Sequence, residues 1–98
     1  MKKFRIYAGL GGGFGGATDR GVEEFKSESE ALIYAYELSC EEYELYEGYH
    51  GLEDFHGIKE DPEYYGLDVN CTEEEIWERY EECRENWIEY WVEEIDAE

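Results

Sequence analysis

A chain of 98 residues makes one domain, long enough to bury a modest core without disulfides or metals. Its 28 acidic against 8 basic residues give a net charge of −20, which argues against direct contact with DNA, RNA or anionic membranes and favours basic surfaces. The charge does not imply disorder, because 42% hydrophobic and 17% aromatic content, with ten tyrosines and three tryptophans, supplies a core that acidic disordered chains lack.

In chain order, residues 4–8 alternate and carry β-favouring side chains, so they read as a first strand. Residues 9–16 contain a formal GxGxxG at Gly11, Gly13 and Gly16. A dinucleotide fingerprint needs a helix to start inside the motif. Here Ala17, Thr18, Asp19, Arg20 and Gly21 follow, which read as turn and strand. No Gly-Lys-Ser/Thr forms a P-loop either. The stretch is expected to be a glycine-rich hairpin loop anchored by Leu10 and Phe14. Residues 22–26 read as a second strand, with Val22 or Phe25 facing inward.

Ser27 as N-cap and Glu30 three residues on start a helix over residues 28–47, closed by Gly48. Its apolar face is expected to hold Leu32, Ile33, Ala35, Tyr36, Cys40, Tyr43 and Tyr46, and its outer ridge Glu30, Glu37, Glu41 and Glu44. Residues 49–70 read as an irregular, aromatic, acidic loop, a length that in a compact domain often carries function. His50 and His56 lie there beside Glu53 and Asp54, but no HxxxH or HExxH spacing occurs, so they read as solvated histidines. Cys40, Cys71 and Cys83 are odd in number without CxxC spacing and are expected as reduced, partly buried thiols.

Thr72 with Glu75 three residues on is a capping box for a second helix, and Glu73, Glu74 and Glu75 suit the dipole of its first turn. Ile76, Tyr80 and Cys83 fall on one face with Trp77 beside them. Glu74, Glu78, Glu81 and Glu85 form the opposite ridge, with Glu82 at its edge. Like-charge neighbours at this spacing each destabilise an isolated helix by about 0.2–0.5 kcal/mol, and a Glu75–Arg79 pair and Arg84 near Glu81 cannot neutralise them. After a break at Asn86, residues 87–93 are β-branched and aromatic and read as a third strand. The rival is a continued helix through Cys83, Trp87, Trp91 and Ile95.

The expected fold is α+β in a single domain: a small antiparallel sheet of three strands with two helices packed on one face. Its core is expected to include Ile6, Phe25, Leu32, Tyr36, Cys40, Ile76, Tyr80 and Ile88. No stretch is long or apolar enough to span a membrane, and residues 1–5 resemble a signal n-region without an apolar continuation, so a cytoplasmic location is expected.

Carboxylates in a row offer a DNA-binding protein a competing polyanion. Neighbours on a helix ridge stand about 5–6 Å apart at Cβ. That is of the order of phosphate spacing along one strand, which carries one charge per about 3.4 Å of axis. In overall character, though through no diagnostic motif, the chain resembles small acidic phage-encoded inhibitors of bacterial defence, the anti-CRISPR proteins that imitate DNA. The resemblance implies a monomeric inhibitor in the host cytoplasm that binds a basic nucleic-acid-handling protein, a CRISPR nuclease complex among them, and blocks its DNA or RNA site. Glu74, Glu78, Glu81 and Glu85 are the first-choice contact, Glu37, Glu41 and Glu44 the second, and Asp54, Glu60, Asp61 and Glu63 the third. The alternatives are an acidic adaptor for a basic partner without mimicry, or a domain whose charge serves solubility alone. No Ser–His–Asp, Cys–His or EF-hand arrangement stands out, so no enzyme activity, cofactor or specific metal site is expected.

Overall fold

The computed structural model describes residues 1–48 and 52–95. The elements are β1 (Lys2–Leu10), β2 (Gly16–Phe25), α1 (Glu28–Tyr46), α2 (Phe55–Glu60), α3 (Glu73–Trp87) and β3 (Ile88–Ile95), with short 3₁₀ turns at Gly12–Phe14 and Pro62–Tyr65. The class is α+β, and the chain forms two compact units, Met1–Leu45 with the segment from Trp87 onward, and Tyr46–Asn86.

In the first unit, β1 lies between β2 and β3 and pairs antiparallel with both. The β1–β2 connection is a tight hairpin because of its glycines. Gly12 sits at φ +61, where a Cβ would stand 2.9 Å from the Trp87 ring. The Gly11 N–H donates to the Trp87 carbonyl at 2.8 Å, and Phe14 packs edge-on to the Trp87 ring. The motif leads into a strand, as expected, and holds the three-residue 3₁₀ turn Gly12–Phe14.

β2 (Gly16–Phe25) is longer than the residues 22–26 read from sequence, because Ala17, Thr18, Asp19, Arg20 and Gly21, which read as turn and strand, all lie within the strand. The β1–β2 register shifts between Arg5 and Tyr7, opposite Arg20 and Gly21. Gly21 adopts φ +94 and donates its N–H to the Asp19 carboxylate at 2.8 Å. This is a bulge: an extra residue is tolerated without ending the pairing.

Phe4, Ile6, Ala8 and Leu10 point from β1 to one face and are buried. Ala31 and Ala35 of α1 close on Phe4 and Ile6, with Phe25, Tyr34, Leu38 and Val92 around them. The buried side of α1 is therefore Ala31, Ala35, Ser39, Cys40 and Tyr43, and two members of the expected apolar face are exposed: Ile33 (58%) and Tyr46 (41%). Ala31 and Ala35, at i, i+4 spacing, let the helix approach Phe4 and Ile6, while further along the same face the bulky Tyr43 is fully buried. Ser39 enters because its hydroxyl is satisfied, donating to the Tyr36 carbonyl at 2.7 Å. Of the expected core, Ile6, Cys40, Ile76, Tyr80 and Ile88 are buried, while Phe25, Leu32 and Tyr36 are half-buried. Phe25, not the exposed Val22, faces the core.

In the second unit, the expected irregular loop is corrected for its described part. Asp54 accepts the Gly57 N–H at 2.7 Å and caps α2, whose Ile58 is buried, as is Leu52 before it. An N-cap carboxylate and a buried isoleucine suffice for a short helix held by tertiary contacts. The expectations for Tyr49 and His50 lie outside the described residues. Helix α3 does not break at Asn86: it continues through Trp87, and β3 begins at the next residue.

Candidate interaction surface

Helix α3 is fixed at its start and along one side. The Glu75 N–H donates to Thr72 Oγ1 at 3.3 Å, the N-cap half of the predicted capping box, while the Glu75 side chain accepts from the Thr72 hydroxyl at 3.4 Å in place of the Thr72 N–H. Ile76, Tyr80 and Cys83 are buried as predicted. The Tyr80 hydroxyl donates to the Glu47 carboxylate. With one side anchored, the opposite side is presented without freedom to rotate away.

That opposite side carries Glu74, Glu78, Glu81 and Glu85, all exposed, with exposed Glu82 at the edge. A shallow depression along it is lined by Glu78, Arg79, Glu81, Glu82, Glu85 and Asn86. Arg79 does not form the expected pair with Glu75; its Nε donates to the Tyr65 carbonyl at 3.1 Å and its guanidinium meets Glu82 at 3.2 Å. The Tyr65 contact holds Arg79 against the preceding segment, where a neutral acceptor is already in place. The Arg84 guanidinium stands 5.8 Å from the centre of the Tyr80 ring. Among the described residues, Glu74, Glu78 and Glu81 have no ion-pair partner.

The other predicted contacts divide. Glu37, Glu41 and Glu44 are exposed on α1, in the other unit. Two acidic residues near them are committed to the fold: Glu42 pairs with Arg20 at 2.6 Å, and Glu30 accepts the Lys26 N–H at 3.2 Å. In the second unit, Glu60, Asp61 and Glu63 are exposed, but Asp54 is half-buried and occupied in capping α2.

Sequence reasoning placed Trp77 beside the core face. The structure leaves it 49% exposed and stacks it on Phe55 of α2, ring centroids 4.2 Å apart and planes at 30°. The edge-on Tyr80 ring is 5.7 Å away. Helical spacing alone puts Glu73, Glu74 and Glu81 around this indole, a signal legible in the sequence; the backing by Phe55 was not.

Burial, and next the Glu53 carboxylate, push the Cys83 thiol above its ordinary value, and burial does the same to the Tyr65 phenol. Both causes disfavour the thiolate at Cys83. The described residues contain no group of three or more His, Cys, Asp or Glu placed to hold a metal ion, and no helix long and apolar enough to cross a membrane. No protein family, curated protein or solved structure matches the chain.

Proposed function

We propose that this protein is a nucleic-acid mimic: it binds a basic nucleic-acid-handling protein through the carboxylate row of α3 and excludes that protein's DNA or RNA. The supporting observation is the row itself. Glu74, Glu78, Glu81 and Glu85 are exposed together on a helix fixed by its cap and its buried face. Charge held in place on a folded frame costs little further ordering on binding. A basic site that releases counterions to take up phosphates does the same for a carboxylate row. The overall charge of −20 steers such a site toward the protein and repels nucleic acid from it.

A host defence nuclease, with a CRISPR complex as the named candidate, is the target that the resemblance suggests. Glu37, Glu41 and Glu44 of α1 supply a second contact, and Glu60, Asp61 and Glu63 a third. The chemistry needed is binding alone, with no bond made or broken.

The test is capture from a bacterial lysate on the immobilised protein at low salt, elution at high salt, and nucleic-acid binding by whatever is captured. Mimicry predicts mutual exclusion: bound DNA or RNA is displaced as this protein is added. A ternary complex with undiminished nucleic-acid affinity overturns the mimic and leaves an acidic adaptor for a basic partner.

A further inference from the structure

Trp77 is out of place for a solvated helix face. The residue is 49% exposed among charged groups, although tryptophan is highly buried on average. Its orientation is nevertheless set: the Phe55 ring lies against it, centroids 4.2 Å apart and planes at 30°, and the Tyr80 ring stands perpendicular to it at 5.7 Å. On the helix, Glu73 and Glu74 lie one turn before Trp77 and Glu81 one turn after, all exposed. Glu73 is 3.7 Å from Lys59, and Glu74 and Glu81 have no ion-pair partner among the described residues.

We propose that the Trp77–Phe55 platform, with Glu74 and Glu81 beside it, seats an arginine side chain of the protein partner, so that this surface selects arginine over lysine. This rests on reading the α3 surface as the site of partner binding, and it names what the partner brings there.

Charge complementarity decides the occupant. An apolar side chain over the indole would desolvate the neighbouring carboxylates without pairing them, which is unfavourable. A nucleobase would bring its phosphate toward the same carboxylates. A guanidinium satisfies both parts at once. Its plane stacks on the ring face, where the quadrupole is negative, and its edge donors reach the carboxylates as paired hydrogen bonds. A lysine ammonium carries the same charge but is more strongly hydrated and has no plane to stack. The carboxylate row supplies attraction to any cation, and Trp77 supplies the choice between cations.

The test is a titration of the ¹⁵N-labelled protein with two glycine-spaced peptides of equal length and charge, one bearing arginines and the other lysines. The indole N–H resonance of Trp77 is followed beside those of Trp87 and Trp91. The arginine peptide is expected to bind roughly two- to fivefold more tightly and to move the Trp77 resonance most. Trp77→Ala is expected to bring the two peptides to equal affinity while retaining salt-dependent binding of both. Equal affinity in the unaltered protein, a stationary Trp77 resonance, or an arginine preference that survives in a folded W77A overturns the proposal. The titration of the unaltered protein decides the question even where W77A fails to fold. Peptide binding reports on the seat alone and nucleic-acid displacement on mimicry, so the failure of one is distinct from the failure of the other.

Discussion

At Cys83 the role of burial is readable as a pH response. Burial, with Glu53 adding to it, raises the thiol's pKa in the folded protein, and the Tyr65 phenol is raised in the same direction. A group whose folded pKa is raised contributes stability that is fully present below its unfolded value and lost as pH rises through the folded value. Denaturant midpoints are therefore expected to fall from about pH 8.5 upward. Cys83→Ser, which keeps the shape and removes the ionisation, is expected to flatten the first part of that decline; an unchanged alkaline limb in C83S would assign it to other groups. Asp19 shows the opposite sign. The Gly21 N–H, and after it the Arg5 guanidinium, hold its carboxyl below the usual range. Its contribution is present above the unfolded carboxylate value and is lost as pH falls through the folded one.

Among the elements, α3 carries opposing demands. Its cap and its Ile76–Tyr80–Cys83 face stabilise it, while its outer row sets like charges one turn apart. Glu78→Gln, Glu81→Gln and Glu85→Gln together are expected to leave the fold intact and to raise stability by about 0.5–1 kcal/mol, from like-charge pairs each worth a few tenths. Chemical denaturation checks this. The same variant is expected to bind a basic partner more weakly, chiefly through slower association, which stopped-flow mixing reads. A triple variant that unfolds would make these glutamates structural, and the site assignment would fail with the folding prediction.

Over the whole molecule, 28 acidic side chains against 8 basic ones make self-repulsion the main electrostatic force on the folded state. Salt shortens its range to about 10 Å at 0.1 M. The melting temperature is expected to rise between low and moderate salt, and to pass through an optimum at mildly acid pH, where partial protonation reduces the charge. Further acid is expected to unfold the protein, since the native interactions of Asp19 are then lost. A melting temperature that stays flat as salt rises would mean that the charges are too far apart, or too well hydrated, to repel appreciably.

The sequence by itself determined what depends on neighbours within a few residues. Thr72 with Glu75 and Ser27 with Glu30 marked both long helix starts, because a cap is made between residues three apart. Ile76, Tyr80 and Cys83 marked the inner face of α3, and the four ridge glutamates its outer face, because helical periodicity is fixed by backbone geometry. The tertiary structure decided what depends on distant partners. Whether residues 88–95 extend or coil was open in periodicity and was settled by pairing with β1, which lies at the other end of the chain. Where α1 meets Phe4 and Ile6 its inner face fell to Ala31 and Ala35, and Ile33 was left exposed, because close packing there rewards small size, a requirement set by the sheet and not by the helix. Ala17 to Gly21 read locally as turn and strand, and pairing on both sides of Arg20 and Gly21 carries β2 through as a bulge. Likewise Trp77 reads as a core-edge residue until α2 places Phe55 against it, since a ring stack between two helices has no trace in the sequence of either.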